Sequence, residues 1–130
     1  MTILFTALLL SLFSAQSFAA TPSLRCKAIY RTLDEKNNTV ERSTSLTPRP
    51  IAGEVKHEAD FEGKFFTLTE EAGSGDLFAQ ITGPSSAFGG TAPDYLRGSV
   101  VRGAADSQGR FTATEVVGYT IYRLECERNR

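Results

Sequence analysis

Ten consecutive residues, Glu54 to Gly63 ("EVKHEADFEG"), hold four acidic side chains, one lysine and the only histidine of the chain. These residue types could ligate a metal or form an acid–base centre. Their spacing argues against both. Read at period two, Glu54, Lys56, Glu58, Asp60 and Glu62 share one face of a strand, and Val55, His57, Ala59 and Phe61 share the other. Carboxylates along one strand face are roughly 6.5–7 Å apart, so their oxygens do not converge. A calcium loop needs the D-x-[DN]-x-[DN]-G spacing, which is absent. A zinc site needs further His or Cys ligands, and His57 faces away from the acids. The expectation is a solvated strand face, with no metal and no cofactor.

Other routes to catalysis fare no better. A Ser-His-Asp set places the base between nucleophile and orienter, and nothing near His57 in the sequence supplies either. Glu70 and Glu71 are adjacent and point to opposite faces of a strand, so they cannot act as a glycosidase pair. "GSGD" and "GG" are turn glycines, too short to cradle phosphate and not followed by a helix. The expectation is that the protein is not an enzyme.

The elements that position these residues begin after residue 19. "MTILFTALLLSLFSAQSFA" has an apolar core from Ile3 to Phe13, broken by Thr6 and Ser11, and no charged side chain. Ser17 and Ala19 stand where a small-residue cleavage site requires them, which reads as a secretory signal peptide over residues 1–19. The apolar stretch is shorter than the roughly 20 residues that span a bilayer. The organisation is then a signal peptide, 1–19, followed by one secreted β-domain, 20–130. No membrane span is expected after cleavage. The setting is periplasmic or extracellular.

Export into an oxidising compartment turns the two cysteines into a predicted disulfide, Cys26–Cys126. It would close a loop of about 100 residues and place the first and last strands together. Both cysteines fall on apolar strand faces. Leu24, Cys26, Ala28 and Tyr30 alternate with Arg25, Lys27 and Arg31, leaving Ile29 as the apolar exception. Tyr122, Leu124 and Cys126 alternate with Arg123, Glu125 and Glu127.

The rest of the chain continues the period-two pattern, with turns at Glu62-Gly63, at 71–76 and at 105–110, the last a hairpin loop with Gly109 at positive φ. Gly118 breaks the pattern before the last strand. Residues 32–49 are polar and read as a long surface connection with a short strand near Thr39–Arg42. The predicted class is all-β, an antiparallel barrel or small sandwich of about seven strands. Clipped ends favour closure into a barrel, which leaves no exposed edge.

Basic and acidic residues nearly cancel, 14 against 15, and form no basic patch, so nucleic acid is not an expected partner. The loop 83–98, "GPSSAFGGTAPDYLRG", is longer than most connections and carries Phe88, Tyr95 and Arg97, residue types that anchor interfaces. It is the expected binding site. "SSAFGG" followed by Tyr95 resembles the Ser-rich, Gly-containing inhibitory loop of the small periplasmic inhibitors of C-type lysozyme. The likeness covers about ten residues, the family's usual tryptophan is absent, and no residue roles carry over. The resulting expectation is a non-enzymatic binding or structural accessory module for an unknown protein or cell-envelope partner. A hydrolase inhibitor and a small-ligand carrier are the alternatives. The secreted chain should begin at Ala20 by intact-mass measurement; a mass retaining residues 1–19 would overturn the leader assignment.

Overall fold

A computed structural model describes residues 22–71, 73–83 and 98–129. The leader, and the loop residues Phe88, Tyr95 and Arg97, lie outside the described residues. No helix among the described residues is long and apolar enough to cross a membrane.

The described residues form nine strands and no helix: β1 (Leu24–Leu33), β2 (Thr39–Ser45), β3 (Thr47–Ile51), β4 (Glu54–Phe61), β5 (Lys64–Glu71), β6 (Leu77–Thr82), β7 (Gly98–Gly103), β8 (Arg110–Val117) and β9 (Thr120–Arg128). They make two antiparallel sheets, in the orders β2-β1-β9-β8 and β3-β4-β5-β6-β7. Alternation places the strands as expected. In β6, Leu77, Ala79 and Ile81 are buried while Phe78, Gln80 and Thr82 are half-exposed. The turn between β4 and β5 has Glu62 at φ 52° and Gly63 at φ 72°. Two successive positive-φ residues make the tight turn whose twist suits a hairpin, and glycine adopts that conformation without steric cost.

The barrel expectation is corrected: the two sheets face one another as a sandwich-like pair and do not close. The reason lies in the disulfide. Cys26 and Cys126 are directly opposite on adjacent strands of one sheet, with Cα atoms 4.1 Å apart. A bridge across neighbouring strands of the same sheet brings the termini together without requiring any second closure. At one side the chain turns from β2 into β3 at Leu46, whose N–H donates to the Cys26 carbonyl at 2.9 Å. Residues 32–49 therefore contain most of two strands, not one surface connection. Their polar character reflects exposure on an outer strand, which hides the period-two signal. The 105–110 segment is also corrected. It carries the chain from β7 in one sheet to β8 in the other, and the Asp106 carboxylate accepts from the N–H groups of Gln108 and Arg110.

The core lies between the sheets. Ala28, Phe66, Leu68, Ala79, Ile81 and Leu124 are fully buried, with Phe111 and Leu77 close behind. Each large side chain buried here contributes about 1.5–3 kcal/mol of hydrophobic free energy. Replacing both cysteines by alanine should lower stability by about 2–5 kcal/mol, read as a lower urea midpoint; an unchanged midpoint would show that the sheets alone fix the register.

Candidate functional site

β5 presents Lys64, Phe66, Leu68 and Glu70 to the interior, all of them buried. Its inner face is thus a cation, two apolar residues and an anion in a row. The two charges meet partners at opposite ends of the sandwich.

At the Glu70 end, His57 of β4 is only 1% exposed. Val55 is the residue directly opposite Glu70, so His57 is its diagonal neighbour on the same face. His57 Nε2 lies 2.5 Å from Glu70 Oε2, and because a carboxylate only accepts, the imidazole N–H is the donor. The other carboxylate oxygen accepts from the Ser23 hydroxyl, and from the Ser23 backbone N–H at 3.3 Å. Ser23 immediately precedes β1, so Glu70 joins the start of one sheet to the interior of the other. Burial pushes the Glu70 carboxyl up, but the hydrogen bonds from His57 and Ser23 and the charge of His57 together outweigh it. The net effect holds Glu70 below its ordinary value of 4.5.

The order of these groups decides what they can do. The carboxylate stands between the hydroxyl and the imidazole. A nucleophilic triad needs the imidazole in the middle, where it can take the hydroxyl proton. The arrangement therefore satisfies the buried His57 and Glu70 and does not set the imidazole against the Ser23 hydroxyl.

At the other end, Lys64 Nζ lies 3.4 Å from Glu115 Oε2 of β8 and 5.0 Å from the ring centroid of Tyr122 on β9. Tyr122 in turn packs at 5.6 Å from Tyr30 and 6.5 Å from Phe66. Burial, then Tyr30, Glu115 and Glu62, push the Tyr122 hydroxyl above its ordinary value. Polar contacts thus cross the inter-sheet space at both ends of the apolar core, an ion pair at Lys64 and a hydroxyl-to-carboxylate hydrogen bond at Glu70.

His57 faces inward, as the alternation requires. Glu54 and Asp60 are exposed, and Lys56 and Glu58 are half-buried. Two carboxylates of that face pair locally, Glu58 with Arg49 at 3.0 Å and Glu62 with Arg42 at 3.2 Å. Sequence reasoning missed Glu70, Ser23 and Lys64 as partners in buried pairs. Extending the period of Phe66 and Leu68 by one step each way would have placed Lys64 and Glu70 inside. Ser23 carries no such signal. Among the described residues, no group of three or more His, Cys, Asp or Glu could hold a metal ion.

A groove of about 370 Å³ opens over the Glu70 end, lined by Ser23, Leu24, Val55, Glu70, Leu77 and Ala105 among others. No family model, curated protein or solved structure matches the chain. The reading of the site therefore rests on its geometry.

Glu70→Gln should cost about 1–3 kcal/mol at neutral pH, because one buried donor loses its charged acceptor. The sign with pH follows from the lowered folded-state value. The stabilisation is present above the ordinary value of 4.5 and is lost as pH falls through the lower folded value. Urea unfolding of wild type and variant should therefore show a gap that is widest at neutral pH and narrows in acid. A gap that widens in acid would contradict this assignment.

Proposed function

We propose that the chain is a small secreted, non-enzymatic binding or structural accessory module. The observation that carries this reading is the position of Glu70 between Ser23 and His57. The only histidine is committed to a carboxylate inside the sandwich, and the carboxylate to anchoring the start of β1. What faces solvent is a set of surface grooves and strand edges, which suits recognition. The disulfide fits an oxidising periplasmic or extracellular setting. The cleaved leader and the unknown envelope or protein partner belong to the same proposal.

The hydrolase-inhibitor reading places the wedge in loop 83–98, at whose two ends Thr82 and Gly98 are paired with one another. On that reading, alanine at Phe88 and Tyr95 removes inhibition while the fold survives. The carrier reading has less support, because Phe66, Leu68, Ile81 and Leu124 occupy the space between the sheets.

The test is capture of partners by the secreted protein from envelope and culture-fluid extracts, identified by mass spectrometry. A reproducible partner lost on reduction and unfolding of the module is the expected outcome. A hydrolytic activity that disappears in a folded His57→Ala variant would overturn the reading.

A further inference from the structure

The groove over the Glu70 end has an apolar floor of Leu24, Val55, Leu77 and Ala105. Its volume, about 370 Å³, falls in the range of small recognition sites. One lip is formed by Glu71 and Asp76. These two residues also line an adjoining groove of about 260 Å³ on the outer side, together with Glu54, Thr69 and Phe78. The lip is held by the chain itself. The Glu71 N–H donates to the Asp76 carbonyl at 3.2 Å, and the Asp76 N–H donates to the Ser74 hydroxyl at 3.1 Å.

Among the described residues, the charges on this lip form no ion pair, and the Glu71 carboxylate accepts only a long hydrogen bond from the Ser74 hydroxyl at 3.5 Å. Glu54 and Glu71 are directly opposite one another across β4 and β5, and like charges so placed repel. Among the described residues, Glu54, Glu71 and Asp76 have no lysine, arginine or histidine within ion-pair distance. Elsewhere on the surface, Glu41, Glu58, Glu62 and Glu125 each have one. Arg102 lines the outer groove, yet its guanidinium sits over the Phe78 ring at 5.8 Å and outside ion-pair distance of any carboxylate among the described residues.

We infer that this groove docks a partner protein segment presenting a lysine or arginine beside an aliphatic residue. The cation takes the Glu54–Glu71–Asp76 lip, where it relieves the like-charge repulsion. The aliphatic neighbour lies on Leu24, Val55, Leu77 and Ala105. Long basic side chains suit such a place, because their stems rest on apolar surface while the charged head stays at the rim. This inference rests on the binding-module reading and names the chemistry of its partner.

The probes are two capped tripeptides, one with lysine between two leucines and one with glutamine in its place. They are titrated into the ¹⁵N-labelled protein and followed by NMR. The lysine peptide should shift amides around the groove, bind about tenfold more tightly than the glutamine peptide, and weaken as salt is added. The double variant Glu71→Gln/Asp76→Asn, altered only at exposed side chains, should lose about tenfold in affinity for the lysine peptide. Equal affinity for the two peptides, shifts centred elsewhere, or an unaffected double variant would overturn the inference. Partner capture that survives in the double variant would also overturn it and leave the binding-module reading standing. Lysine-peptide binding at the groove with no partner captured would support the groove and count against the module reading.

Discussion

The sandwich depends on the inner face of one strand. β5 sets Phe66 and Leu68 against the opposite sheet and places Lys64 and Glu70 at the two ends of that apolar stretch. Buried charges are costly unless paired and hydrogen-bonded. Both are answered from elsewhere in the fold: Lys64 by Glu115 across the sheets, Glu70 by His57 beside it and Ser23 across from it. An apolar core alone would tolerate small slides of one sheet over the other. The contacts that cross between the sheets tolerate them poorly, because a slide of one residue pair would part Lys64 from Glu115 at one end and Glu70 from the Ser23 hydroxyl at the other. The polar residues of the interior therefore act on register and alignment more than on net stability.

The disulfide works on a different part of the same problem. It joins β1 to β9 within one sheet and restrains the ends of the unfolded chain over a separation of 100 residues. It does not connect the sheets. That task falls to the core, the two charged ends and the connections at Leu46 and Asp106. The outer strands β2, β3, β7 and β8 consequently remain as edges. β3 carries Pro48 and Pro50, and a proline cannot donate to a further ladder, so this edge resists adding another strand.

The same economy shapes the functional reading. Side chains that could do chemistry, namely the histidine, the serine at the start of β1 and the carboxylate between them, are consumed in holding the sheets. The outward carboxylates near the turn after β5 are not consumed in this way. They border an apolar groove and form no ion pair among the described residues. The proposed recognition of a cationic segment is argued from that imbalance.

Period-two alternation and turn residues by themselves determined the β-class, the face taken by His57, the opposite faces of Glu70 and Glu71, and the turn at Glu62-Gly63. These are local properties of an extended chain and its turn residues, so one sequence suffices to read them. The parity of the two cysteines likewise placed both on inward faces, and the pairing between them follows once both strands lie side by side. Tertiary structure alone decided that the bridge lies within one sheet, that the sheets stay open, and that the polar 39–51 region is two strands. It alone brought Ser23, His57 and Glu70 together, and Lys64 to Glu115. Those contacts join residues up to 51 positions apart, and no local pattern encodes which distant strand end faces a given charge. That choice is made only when the two sheets stack and each buried ion must find its counterpart.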